Sequence, residues 1–310
     1  MTATRTIRIG TRASALARIQ TGLVASALGA RVEIVPIVTE GDRSSANLAQ
    51  IGGTGVFASA LRQALLADEV DVAVHSFKDL PTAAADGIVI AAVPAREDPR
   101  DVLVARGGLT LGELPAGAKI GTGSPRRAAQ LRALGLGLEI VPIRGNVDTR
   151  LGKVAAGEVD AVVLALAGLR RLGRAGEASE ILDPIQVLPA PAQGALAVEC
   201  RSSDDETRAI LRGLDDADTR AAVAAERALL AALEAGCSAP VGALAVVAEG
   251  DDGFSGQTQV FLRGSVTAVD GSDAVRLSAT GATTNAEGVG RRLAADLLAE
   301  GADQMMGSSS

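Results

Sequence analysis

The chain has 310 residues, 47% hydrophobic and 22% charged, with a net charge of -7, no Trp or Tyr and only four Phe. This is a globular balance for two or three domains, with a core built from Ala, Val, Leu and Ile. The acidity excludes a general nucleic-acid binder but not local basic sites. One histidine and two cysteines argue against a protein-ligated zinc site and a disulfide framework.

The N-terminal MTATRTIRIGTR has no long apolar run before a cleavage site, so export is not expected. Later apolar runs are broken by Arg, Glu and Asp, so no membrane span is expected either. The cytoplasm is the expected compartment.

Three phrases then occur twice. The first copy is IRIGTRAS (7–14), VEIVPIVTEGD (32–42) and DEVDVAVHSFKDL (68–80). The second is AKIGTGSPRR (118–127), LEIVPIRGNVDTR (138–150) and GEVDAVVLALAGL (157–169). In each copy a β run ends in Gly-Thr, an Ala-rich helical stretch follows, a second β run ends in EIVPI, and a third reads VDVAV or VDAVV. This alternation predicts two similar α/β lobes with mostly parallel sheets. The Gly-rich insertion at 44–57 reads as a mobile loop of the first lobe. Segment 182–200 is marked by Pro and Gly, then β-like, and leads back toward that lobe. From 217 a helix (219–234), β segments and a last helix (287–302) predict a small α+β domain, with MMGSSS as a frayed end.

Polar loops beyond the strands of open α/β sheets commonly hold ligands. Here they carry Arg12 and Ser14, His75 to Asp79, Thr122 to Arg127, Arg144 to Arg150, and Arg170-Arg171. Arginine forks match carboxylates and phosphates, and helix N-termini add anion affinity. The expected ligand is a polyanion of modest size. Asp79 is the candidate acid, base or cation stabiliser; an N-cap, or a pair with Lys78, is the plain alternative. His75 reads equally as structural or catalytic. Cys200 ends a strand and reads as a buried apolar side chain. Cys237 lies in a loop, either structural or a covalent attachment point.

Ten phrases, in order, then carry a resemblance: IGTRASALA, GDR, GG-x-G-x-F, HSFKDLPT, EDPRDVL, GTGSPRRAAQL, RGNVDTRL, LALAGLRRL, LPAPAQGALAVE and AGCSAPVG. Over nearly its whole length the chain resembles the porphobilinogen deaminase (hydroxymethylbilane synthase) family. The resemblance implies two lobes like type II periplasmic binding proteins, at 1–94 with 195–216 and at 99–188. It implies a cofactor-attachment domain at 217–303 and a disordered tail at 304–310. The implied reaction condenses four porphobilinogen molecules head to tail, with loss of four ammonias, to linear hydroxymethylbilane. A dipyrromethane cofactor is implied on Cys237.

By the family pattern, Asp79, Lys78, Arg12, Arg144 and Arg150 are catalytic. Cys237, Lys78, Asp79, Ser14, Thr122, Ser124, Arg126, Arg127, Arg144, Arg150 and Arg171 hold the cofactor in that pattern. No metal, nucleic acid or membrane is implied, and the enzyme is expected to be a monomer. Two departures stand out: Thr54 replaces a usual lysine, and Ala192-Gln193-Gly194 replaces Gly-Gln-Gly. Phe57 and Phe77 are rare candidates to stack on pyrrole rings, with core packing as the competing role. The rival reading from another class is a two-lobed binding or sensor protein for a small polyanion, which needs neither Cys237 as an anchor nor Asp79.

Overall fold

The computed structural model describes residues 5–37, 55–233, 239–250 and 258–306. Thr54, Cys237, most of the Gly-rich insertion and the Phe57 side chain lie outside what is described. The chain divides into two compact units, residues 1–96 with 195–220 and residues 97–194 with 221–310.

In the first unit the elements are β1 (Ile7–Thr11), α1 (Ala15–Ala27), β2 (Val32–Pro36), α2 (Gly55–Leu66), β3 (Val72–Ser76) and β4 (Ile88–Ala92). The second unit begins with β5 (Asp101–Ala105), β6 (Lys119–Thr122), α3 (Pro125–Ala133), β7 (Glu139–Pro142), α4 (Val147–Ala155), β8 (Ala161–Ala165), α5 (Leu166–Arg171) and β9 (Glu180–Ile181). The chain then returns to the first unit as β10 (Leu196–Arg201) and α6 (Asp205–Leu211). The remainder is α7 (Ala217–Ala232), β11 (Val241–Glu249), β12 (Thr258–Thr267), β13 (Ala274–Ala282), α8 (Ala286–Ala299) and α9 (Ala302–Met305).

The sequence repeat is a structural one. The first sheet runs β2-β1-β3-β10-β4 and the second β7-β6-β8-β5-β9. In both, the first three strands are parallel and the fourth is antiparallel to its neighbours. The repeated phrases even share register: Thr11 faces Pro36 as Thr122 faces Pro142. The two helices that follow β1 and β6 also match. Ser14 and Ser124 cap them, accepting from Ala17 N and Arg127 N. Both end on Leu-Gly, with Gly29 and Gly135 at φ 61° and 67°, the left-handed conformation that closes a helix at little cost.

Each lobe's sheet is covered on both faces, which explains why its central strands read as continuous apolar runs. Ile7, Ile9, Val72, Val74 and Val198 pack on the α1 side with Val24, and Leu61, Leu65, Val70 and Ala73 on the α2 side. In the second sheet, Leu103, Ile120 and Val163 pack with Leu131 of α3, while Val102, Val162 and Leu164 pack with Leu151 and Val154 of α4. At the amino end of β3, buried Asp71 gathers Arg5, Arg8 and Arg201. Burial raises its pKa, but the hydrogen bonds from Arg8 and Arg201 hold it well below the usual carboxylate range.

The C-terminal part is a three-stranded antiparallel meander, β11-β12-β13. Val260, Leu262 and Val266 pack there against Leu229 and Leu233 of the α7 segment and Leu293 and Leu297 of α8. The two α/β lobes and this α+β part are the expected fold class. One expectation needs correcting. The frayed end does not begin at 304, because Ala302–Met305 is helical and Met305 and Met306 pack on the core; only 307–310 lie outside the described residues. No helix among the described residues is long and apolar enough to cross a membrane.

Candidate active site

In the first unit the site residues sit at the carboxyl ends of β1 and β3. Half-buried Arg12 follows β1, and Ser14 accepts from Ala17 N as the α1 cap. Thr11 Oγ1, buried, accepts from Thr21 Oγ1 at 2.8 Å and ties the end of β1 to α1. β3 runs directly into a 3-10 turn, Phe77–Asp79. Phe77 is buried, as core packing requires, and its N–H donates to Ala195 O at 3.0 Å. Leu80 N closes the turn on Phe77 O at 3.1 Å. That geometry leaves Lys78 half-buried and Asp79 exposed.

Beneath the turn lies a buried ionic cluster that the sequence did not reveal. His75 Nε2 is 3.1 Å from Glu199 Oε2, and Arg62 donates to both Glu199 oxygens. Burial pushes the Glu199 carboxyl up, but His75 and Arg62 outweigh it and hold the pKa at about 2. Cys200, next on β10, is fully buried as expected, and burial pushes its thiol up to about 11.

In the second unit, Thr122 is buried at the end of β6 and accepts from Ser124 N at 3.2 Å. Arg126 and Arg127, expected to hold ligand carboxylates, turn inward. They are 3% and 5% exposed and converge on Asp101, which is fully buried at the start of β5. Arg126 also donates to Leu188 O, and Arg127 to Val163 O. Gln193 Nε2 completes the shell on Asp101 at 2.8 Å. Burial raises the Asp101 pKa, but the two guanidinium charges drive it well below the usual range.

One carboxylate between two arginines leaves a buried excess of one positive charge. More positive charge gathers beside it. Arg150 is half-buried and donates from Nε to Gly145 O at 2.9 Å. Burial lowers its pKa, and so do the charges of Arg127 and Arg144. A Cβ built on Gly123 would lie 3.8 Å from Arg150 Nη2, which puts that guanidinium beside the Gly123–Arg127 loop. Arg144 is exposed. Arg171 is half-buried, with its pKa lowered by burial, and donates to Gly194 O at 2.6 Å. Arginines partly withdrawn from water at these loops form a donor set suited to carboxylates, so these residues fit a cofactor or substrate rich in acid groups.

The chain's return to β10 is also anchored. Glu226, fully buried on α7, accepts from Ala192 N at 2.5 Å and from Ala245 N at 2.7 Å. It holds Ala192 at φ 61°, where the resemblance led us to expect glycine.

The family model described as "Porphobilinogen deaminase, dipyromethane cofactor binding domain" matches residues 7–209, and "Porphobilinogen deaminase, C-terminal domain" matches 220–299. Porphobilinogen deaminases of Mycobacterium bovis and Mycobacterium tuberculosis are 60% identical over 304 residues, covering 97% of this chain and 98% of theirs. That of Mycobacterium avium is 59% identical over 305 residues, covering 97% and 96%. Among solved structures, a putative methionine-binding lipoprotein of Bacillus subtilis overlaps 68% of this chain and 90% of its own, with a TM-score of 0.41 and 14% identity. Two family models along most of the sequence, and relatives of such identity at nearly full length, leave one assignment: this chain belongs to the porphobilinogen deaminase family.

Proposed function

We propose that this chain is a transferase that condenses four porphobilinogen molecules head to tail, releases four ammonias and, with one water cleaving the new chain from its primer and supplying the hydroxyl, delivers linear hydroxymethylbilane for tetrapyrrole and haem synthesis. The observation that carries the reading is Arg150, half-buried beside the Gly123–Arg127 loop, whose charge is disfavoured by burial and then by Arg127 and Arg144, an environment that a carboxylate relieves. Each pyrrole of the substrate brings two, an acetate and a propionate.

Bound by a thioether to Cys237, a dipyrromethane would supply the unsubstituted α-carbon on which condensation starts. Lys78, Arg12, Arg144, Arg150 and Arg171 hold acid side chains of the rings. Ser14, Thr122 and Ser124 shape the helix starts and loops beside them. Arg126 and Arg127 act chiefly through the buried excess charge around Asp101, which biases this region toward anions.

Asp79 has the chemical role. When the aminomethyl C–N bond of porphobilinogen breaks, the nitrogen leaves with its electron pair as ammonia. The ring becomes an electron-poor azafulvene, cationic while its nitrogen is protonated. A carboxylate at the pyrrole N–H accepts its hydrogen bond and stabilises that charge. The α-carbon of the neighbouring ring then attacks, and its displaced proton leaves as the ring regains aromaticity. The exposure of Asp79 supports its carrying that proton. We assign the chain to the cytoplasm, as a monomer.

Intact-protein mass spectrometry under denaturing conditions tests this reading. The wild type is expected to carry an adduct equal to two condensed pyrroles, absent in Cys237→Ser. Asp79→Asn is expected to keep the adduct and to lose turnover of porphobilinogen by roughly 100-fold or more. Unmodified protein with full activity refutes the anchor, and wild-type turnover in Asp79→Asn refutes the role of the acid.

A further inference from the structure

His75 is the only histidine of the chain, and the reaction as proposed does not use it. It stands on β3 one residue before Ser76, directly ahead of the turn that carries Lys78 and Asp79. Its neighbour in the sheet is β10, where Ala197 is paired with His75 and Glu199 with Ala73. Glu199 and His75 therefore stand diagonally on the face of the sheet that α2 covers. Nε2 of His75 lies 3.1 Å from Glu199 Oε2. Arg62 of α2 grips the same carboxylate through Nη2 at 2.7 Å and Nε at 3.1 and 3.2 Å.

The opposite face grips the next residue. Ser76 Oγ accepts from Gln20 Nε2 of α1 at 2.8 Å. The strand end is thus held from both sides immediately before the reactive turn. On the α2 side the Glu199 carboxylate, 1% exposed, stands between Arg62 and His75. Apolar side chains would fill that space at less cost than buried charges. What a forked arginine on a carboxylate adds is direction: it sets the plane of the carboxylate, against which buried His75 Nε2 is packed at 3.1 Å without an aligned hydrogen bond.

We propose that Glu199, clamped by Arg62, is a positioning residue for the reaction and acts through His75 on the orientation of Lys78 and Asp79. None of the three touches substrate in this scheme. The inference rests on the role given above to Asp79. Among the described residues, the charged groups that the structure gathers at His75 are Glu199 from β10 and, on that carboxylate, Arg62 from α2.

The test is Glu199→Gln in the holoenzyme, which keeps the shape and removes the charge. We expect kcat to fall roughly 10- to 100-fold with KM within threefold of wild type. Glu199→Asp, which restores the charge, is expected to recover part of the loss. A second readout is spectroscopic. With one histidine in the chain, the imidazole nitrogen resonances are unambiguous, and they are expected to shift in Glu199→Gln. Unchanged kcat, or unchanged imidazole resonances, overturns the proposal. If Glu199→Gln does not fold, His75→Gln leaves the Arg62–Glu199 pair in place and is expected to show the same loss of kcat; wild-type kcat there also overturns it. A wild type that turns over no porphobilinogen would refute the functional reading instead, while the imidazole resonances still judge the clamp.

Discussion

Asp101→Asn removes one charge from the most buried ionic cluster of the second lobe. Asp101 is 0% exposed and accepts from Arg126 Nη2 at 2.8 Å, Arg127 Nε at 3.1 Å, Arg127 Nη2 at 2.7 Å and Gln193 Nε2 at 2.8 Å. Asparagine keeps the shape but only one acceptor, and it leaves two buried guanidinium groups without a counter-charge. Three charge-assisted bonds at about 1.5–3 kcal/mol each bound the loss from above. The remaining carbonyl acceptor and local relaxation bring it to the range for breaking a buried pair, about 3–5 kcal/mol. Taking about 4 kcal/mol, amide protection in β5 and β8 is expected to fall by about three orders of magnitude, at about 1.4 kcal/mol per tenfold. Hydrogen exchange read at those strands is the suitable assay, because a chain of two units need not unfold in one step. Asp205→Asn is the control: Asp205 is 89% exposed in its pair with Arg208, and its loss is expected to leave protection unchanged. If Asp101→Asn changed protection in β5 and β8 no more than Asp205→Asn does, the reasoning from burial would be wrong.

Two further predictions concern the backbone and pH. At Gly194, φ is 88° and an added Cβ would stand 2.2 Å from Glu97 O, so Gly194→Ala is expected to cost roughly 2 kcal/mol or more, read as a lowered melting temperature; an unchanged melting temperature would contradict the close approach. Glu199 is held at about 2, below the ordinary value of 4.5. A depressed carboxyl stabilises the fold fully above its unfolded pKa, and that contribution disappears as pH falls toward the folded value. Wild-type stability is therefore expected to drop between about pH 5 and pH 2, and less steeply in Glu199→Gln, in urea midpoints measured across that window. Equal slopes would deny Glu199 its share of the acid sensitivity.

The sequence made the duplication legible because its signals are local. Gly-Thr at a strand end, a serine cap and a Leu-Gly stop recur within a few residues of one another, and each specifies backbone geometry on its own. The turn with Lys78 and Asp79 was legible for the same reason: an apolar strand breaks into polar residues at the carboxyl end of a sheet. Glu199 and Asp101 were not. Glu199 sits in LAVEC and Asp101 in EDPRDVL, phrases that look like strand ends. Their partners lie far along the chain, with Arg62 separated from Glu199 by 137 residues and Arg127 from Asp101 by 26. No periodicity relates residues at such separations.

Arg126 and Arg127 make the same point from the other side. Their place after a strand, beside Ser124 and Pro125, suits either an outward grip on a ligand or an inward pair. Sequence alone determined the class of fold, the doubling of the lobe and the family, since all of these are written in short-range patterns and ordered motifs. Only the tertiary structure decided which of those charges face a buried partner. The cost of burying a charge depends on what the packed sheets bring within about 3 Å of it, and that distance is set by chain crossings remote in sequence.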